Sequence, residues 1–297
     1  MAARARASAP GLAGRQLRCR AGRIPLWLAL GLGLAAAGLA ARGLGRSALA
    51  RGFTDIDTRR VSLEAGRPVP AGWSEWLAAR VAALDPVSTL DADGVAALTA
   101  EIARAPFVRA VRDARVVWPD GLELEIELRR PAACLRAPEG FRCVDPEGVV
   151  LPGVWTTPPE TDWGVLSVIG PLDGALDDLR PGDRLVEERH HDALSVALSM
   201  RAHLDRDELR FLGPVVIDAE RADRAGVEES GTRLSLEDRR LVLFGRAPRA
   251  GMPGELPPAR KWQHLRRALR WLREGRDWDL LDVRWDRGRI RPRGDSS

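Results

Sequence analysis

This 297-residue chain contains no tyrosine, and it has one lysine, Lys261, four histidines and three cysteines. Each scarcity excludes something. The histidines are His190, His191, His203 and His264. The adjacent pair points to different faces of any helix, and no two histidines stand four residues apart, so no helical metal clip forms. That pair reads as the solvated start of a helix. Cys134 and Cys143 are too far apart for C-x2–4-C, and the next histidine, His190, is 47 residues beyond Cys143, so a zinc site is not expected. No G-x-S-x-G, H-E-x-x-H, P-loop or G-x-G-x-x-G occurs. Asp91-Ala92-Asp93-Gly94 lacks the rest of a calcium loop and reads as a helix cap. Glu123, Glu125 and Glu127 alternate along one strand, a spacing open to paired carboxylates but far commoner on a solvated strand face. Neither an enzyme nor a bound cofactor is expected.

Acid is missing from one end of the chain. Six arginines and no acid lie in residues 1–23, and three more arginines lie in 42–52. The basic character behind the pI of about 9.7 is therefore local, because residues 53–297 sum to −5. A groove that follows nucleic-acid phosphates is not expected. Long apolar runs are scarce too, and one stands out. Ile24 to Ala41 is 18 residues without a charge, bracketed by Arg23 and Arg42. As a helix it spans roughly 27 Å, close to a hydrocarbon core. The excess of arginine before it predicts a cytoplasmic N-terminus and an exported body. A signal peptide cleaved near Ala48-Leu49-Ala50 is the main alternative. Gly33, Ala37, Ala41 and Gly45 recur every four residues, a weak pointer to a helix partner in the membrane.

Past Phe53 the pattern is α+β. Arg59 to Glu64 alternates as a short strand. Trp73, Trp76, Leu77, Val81 and Leu84 form a helical stripe that Pro86 ends. Asp91 or Asp93 caps a second helix carrying Val95, Leu98 and Ile102. A strand ends in Val116-Val117-Trp118, and Pro119-Asp120-Gly121 turns the chain. Leu122, Leu124, Ile126 and Leu128 then alternate with glutamates. The order is β-α-α-β-β. Beyond Pro131, strands and turns dominate. Predicted elements are a hairpin around Pro138-Glu139-Gly140, strands at Val165–Ile169 and Val215–Ile217, and a second hairpin over 233–245. Helices are expected from His191 to Leu204 and around Trp262, Leu265, Leu269 and Leu272. The closing strands fall at Leu280–Trp285 and Arg289–Arg291. A hairpin at Pro138 sets Cys134 and Cys143 nearly opposite each other, which allows a disulfide in an oxidising compartment; two free thiols are the alternative.

This layout resembles the FtsQ/DivIB family of bacterial cell-division proteins. The residues that carry the likeness are Pro106-Phe107-Val108-Arg109-Ala110-Val111, then Val116-Val117-Trp118-Pro119-Asp120-Gly121 with its alternating strand to Pro131. Val144-Asp145-Pro146-Glu147-Gly148-Val149 follows, and near the end come Leu243-Phe244-Gly245, the helix around Lys261 and Leu281–Gly288. The likeness covers roughly residues 55–150 and 240–293. It implies a cytoplasmic arm (1–23), a single N-terminal transmembrane helix (24–41), a POTRA-like β-α-α-β-β domain (53–130) and a β-rich domain with flanking helices (131–293).

The resemblance also implies a function: a non-catalytic scaffold of the divisome in the bacterial inner membrane, placed at the septum. Its partners would be single-pass FtsB- and FtsL-like division proteins and other divisome subunits, with no nucleic acid and no small-molecule substrate. The family binds these partners through its last strands, here Trp285, Arg287, Gly288, Arg289, Ile290 and Arg291. A terminal strand at a sheet edge has unpaired backbone groups that a partner strand can take up. Arg287, Arg289 and Arg291 share one face of an extended strand, suited to acidic partner side chains or to guarding the edge against aggregation. The rival readings are another membrane-anchored POTRA adaptor in secretion or envelope assembly, and an exported enzyme released by signal cleavage.

Overall fold

The computed structural model describes residues 26–50, 54–57, 60–66, 69–162, 164–170, 179–219, 231–250 and 255–294. Two units of chain are distinguished, residues 1–53 and 54–297. In the first, helix α1 runs Leu26–Ala50. Its exposed leucines include Leu34, Leu39 and Leu44. No helix among the described residues is long and apolar enough to cross a membrane. This corrects the expected transmembrane helix over 24–41. The composition explains it: 13 of the 25 positions of α1 are alanine or glycine, and Arg42 and Arg46 sit in its C-terminal part. Small side chains contribute little apolar surface, so an uncharged run need not be a strongly apolar one. The arm 1–23, with Cys19, lies outside the described residues.

The second unit begins with β1 (Val61–Glu64), α2 (Ala71–Ala82), α3 (Ala92–Ala103), β2 (Val108–Val117) and β3 (Gly121–Leu128). β3 is central, parallel to β1 and antiparallel to β2. Trp73, Leu77 and Val81 project from one face of α2 onto Leu98 and Ile102 of α3 and onto Leu122, Leu124, Ile126 and Leu128 of β3. Pro70 precedes α2, and the Asp91 carboxylate accepts from the Gly94 amide at 3.1 Å to start α3. α2 stops at Ala82, so Leu84 lies beyond the stripe predicted for it and is exposed. Trp73 stacks on Phe107 at 5.1 Å between ring centroids.

The chain then builds a sheet of eight strands. β4 (Ala133–Ala137) and β5 (Gly140–Val144) form the predicted hairpin around Pro138-Glu139. A ribbon of β6 (Glu160–Thr161) and β7 (Gly164–Val165) stands apart from the sheet that receives β8 (Val168–Ile169). The single strand expected over 165–169 is thus two pieces. α4 (Glu188–His203) and α5 (Arg206–Leu212) follow, with a capping box between Asp205 and Glu208. Next come β9 (Val216–Asp218), β10 (Thr232–Ser235), β11 (Leu241–Gly245), α6 (Pro258–Arg273), β12 (Trp278–Asp282) and β13 (Arg289–Pro292). The strand order is β13-β12-β11-β10-β9-β8-β4-β5.

The two faces of this sheet are covered differently. α4 and α6 pack on one face along a core of Val196, Ala197, Trp262, Leu265 and Leu269 against Leu234, Val242, Phe244 and Leu281. Trp262 donates its indole N–H to the Ser199 hydroxyl at 2.9 Å, fixing α6 to α4. On the opposite face, Cys134, Cys143 and Val168 join the core of the β1–β3 lobe. That lobe therefore covers only the β5 end of the sheet. The outer edge of β5 is also occupied: Leu151 donates to the Cys143 carbonyl, and Phe141 and Trp155 exchange both backbone hydrogen bonds. The other edge, β13, has no strand on its outer side among the described residues.

Candidate partner-binding edge

α6 supplies one wall of the region. Lys261, Trp262, Leu265, Ala268 and Leu269 are buried, which leaves Arg267, Arg270 and Trp271 on the outer side. Pro258 opens the helix, and Gly275, at φ +77°, closes it by donating its amide to the Leu272 carbonyl at 3.0 Å. β12 then enters with Trp278 fully buried, its indole N–H directed at the Ala268 carbonyl at 3.3 Å. β12 lies parallel to β11 on its inner side and antiparallel to β13 on its outer side.

The link between β12 and β13 is held firmly. Arg284 is buried and pairs with Asp282 through Nε at 2.9 Å and a terminal nitrogen at 2.8 Å. Its carbonyl accepts from the Leu256 amide. Lys261 is buried beside this turn. It donates to Glu255 at 2.6 Å and lies over the Phe244 ring at 4.8 Å. Burial holds its ammonium below the usual lysine range, opposed by the Glu255 carboxylate. Gly288 passes directly over α6, where a Cβ would stand 2.8 Å from Nδ1 of His264. That close approach is the reason for glycine at this position.

Between α6 and this turn runs an open groove of about 600 Å3. His264, Arg267, Arg270, Trp271 and Glu274 line it from the helix, and Asp286, Arg287 and Gly288 from the turn. Leu281 and Ile290, directly paired across β12 and β13, also line it. Glu274 is ion-paired to Arg276, whereas among the described residues Arg267, Arg270 and Arg287 have no ion-pair partner. The groove is therefore apolar beneath and basic along its rim.

The six residues predicted to bind a partner are only partly brought together. Gly288 and Ile290 sit at the groove, with Ile290 half-buried against the main core. Arg287 precedes β13 and lines the groove on the α6 side. Arg289 and Arg291, in alternate register with Ile290, face the other way. The shared face expected for Arg287, Arg289 and Arg291 is thus corrected: the turn resets the alternation before β13 begins. Arg291 is also engaged by its own chain, reaching Asp279 at 2.8 and 3.0 Å. That guanidinium holds the Asp279 carboxyl below its usual range. Trp285 lies three residues beyond the end of β12, so the strand expected to reach it stops short; its ring is 38% exposed, with Arg284 stacked against it at 5.8 Å.

Sequence reasoning missed the α6 wall. His264, Arg267 and Trp271 lie at helical spacing opposite the buried stripe, and that exposed mixture of cations and one tryptophan was the available signal. Other candidates resolve as follows. His190 is buried rather than a solvated helix start, and His191 bonds the Leu185 carbonyl at 2.8 Å. Glu127 is ion-paired with Arg112 and, at 3.0 Å, with Arg109, and these arginines keep it ionised below the usual range. Cys134 and Cys143 are direct cross-strand partners with Sγ atoms 3.5 Å apart, and in this structure both are buried free thiols. No group of three or more His, Cys, Asp or Glu among the described residues is placed to hold a metal ion.

No protein-family model matches the sequence, and no curated protein matches it.

Proposed function

We propose that this chain is a non-catalytic scaffold of the bacterial divisome, working at the septum on the outer side of the cytoplasmic membrane. It binds short single-pass division proteins of the FtsB/FtsL kind by strand addition. The observation that carries the reading is the open edge strand β13 beside a basic groove, in a sheet whose opposite edge is already occupied. A partner strand laid along β13 gains main-chain hydrogen bonds, and its acidic side chains meet Arg267, Arg270 and Arg287. The order of the motifs that resemble the FtsQ/DivIB family supports the same reading. So does the β1–β3 lobe, whose outer strands β1 and β2 leave further edges for docking.

The test is capture of the exported segments of such partners by the wild-type chain and by Ile290→Pro. Proline removes the strand's donor and stiffens it. Loss of capture in a variant with an unchanged circular dichroism spectrum is the expected result. Full capture by that folded variant contradicts strand addition at β13.

A further inference from the structure

We infer that Cys134 and Cys143 are the site of an intrachain disulfide, installed on the β4–β5 hairpin before the β1–β3 lobe closes over it. The inference rests on the proposed location outside the cytoplasm.

The backbone already has the required geometry. The Cys134 amide donates away from β5, to the Ser167 carbonyl at 2.8 Å, and the Cys143 carbonyl accepts from Leu151 at 2.8 Å on the far side. The two cysteines are therefore a non-hydrogen-bonded antiparallel pair, in which Cα atoms stand about 4.5 Å apart and side chains approach closely. That separation lies within the range a disulfide spans. The Sγ atoms, at 3.5 Å, need only small side-chain rotations to reach bonding distance.

Burial dictates the order of events. Neither cysteine has exposed surface, and both belong to the core formed with Trp73, Phe107, Leu151, Leu166 and Val168. No oxidant reaches them in the closed fold. The Cys143 thiol and burial also raise the Cys134 thiol far above its usual range, which suppresses the reactive thiolate. The hairpin itself is local, with the two cysteines nine positions apart in sequence, and forms in microseconds. Contacts with Trp73 and Phe107 require longer closures and come later.

In the exposed hairpin, the Cys134 thiolate attacks a sulfur of a disulfide-carrying oxidoreductase. A mixed disulfide forms and one thiolate of the carrier leaves. The Cys143 thiolate then attacks Cys134 Sγ and expels the second carrier thiolate. Two electrons pass to the carrier, which ends as a dithiol holding the two protons. Docking of the lobe afterwards seals the bond from reductants.

The test uses full-length protein, reduced and unfolded in guanidinium, then diluted into a buffer of reduced and oxidised glutathione. Samples are alkylated in guanidinium, and the states of residues 134 and 143 are read by peptide mass. A linked pair is expected, with dithiothreitol cleaving it at least about tenfold more slowly in folded protein than in guanidinium. Cys143→Ser, treated alike, leaves Cys134 alkylated or glutathionylated. Two alkylated cysteines in the refolded wild type overturn the inference. If the chain does not refold, reduced native protein held in the same buffer with mild urea is read in the same way. The count on protein drawn from cells tests the location separately. A bond that forms in the buffer but is absent in cells contradicts the outer location, and with it the claim that the bond is installed in the cell; failure in the buffer overturns the inference whatever the location.

Discussion

Lys261, the sole lysine of the chain, is 2% exposed and ends against Glu255 and Phe244. Removing one member of a buried pair strands the other charge. Lys261→Met is expected to lower stability by about 3–5 kcal/mol in urea unfolding. The double variant Lys261→Met/Glu255→Leu recovers most of that loss. A second residue-scale prediction concerns Asp279. Its carboxyl is held below the usual range by Arg291, so the stability it contributes is present above the unfolded value of about pH 4 and is lost as pH falls through the lower folded value. The pair is exposed, and the effect on global stability is small. The measurement is therefore local: the Arg291 Nε resonance should move with acidification below about pH 4, and Asp279→Asn should abolish the movement. Little of this was legible in the sequence. A lone lysine carries no sign of burial until the loop bearing Glu255 folds back onto it. The burial of His190 likewise depends on distant elements that fold over the start of α4.

At the scale of elements, periodicity located what it could. The alternation of β3 and the stripes of α2, α3 and α6 follow from one buried face each. β8, a two-residue strand between parallel neighbours, is too short to show a period. β12 begins at Trp278 rather than Leu280, because Trp278 buries against α6 and draws the strand inward ahead of the alternating stretch. The membrane-spanning expectation over 24–41 is not met by α1, in which alanine and glycine fill about half of the positions and Arg42 and Arg46 fall inside the helix. The edge around β13 was legible as a terminal strand, but the register of its arginines was not. A prediction separates the two arginines concerned. Arg287 lines the groove, and Arg291 is tied to Asp279. Arg287→Glu should weaken capture of an acidic partner about tenfold at low salt, and Arg291→Ala should change it much less. Titration by surface plasmon resonance at two ionic strengths distinguishes them.

Across the whole of residues 54–297, the contact that matters most is the one least visible in the sequence. Trp73 of α2 donates its indole N–H to the Pro152 carbonyl at 3.1 Å and shares a core with Cys134, Cys143 and Val168 of the large sheet. The β1–β3 lobe and the eight-stranded sheet are accordingly expected to unfold together. Trp73→Ala is expected to cost about 3–5 kcal/mol and to split a single urea transition into two. If wild-type protein already unfolds in two separate steps by circular dichroism and tryptophan fluorescence, the lobes are not coupled as described. The sequence predicted both lobes as an order of strands and helices, yet a contact across 79 positions has no local signature. This arrangement leaves β13 at the far end of the large sheet from the covering lobe, where a partner can reach it. The reachable edge is proposed to serve cell division, and the decisive experiment is depletion of the protein in dividing cells, with a fluorescent copy followed by microscopy. Midcell signal in the fluorescent copy and filaments without septa after depletion are expected; uniform signal with normal division would overturn the proposed role.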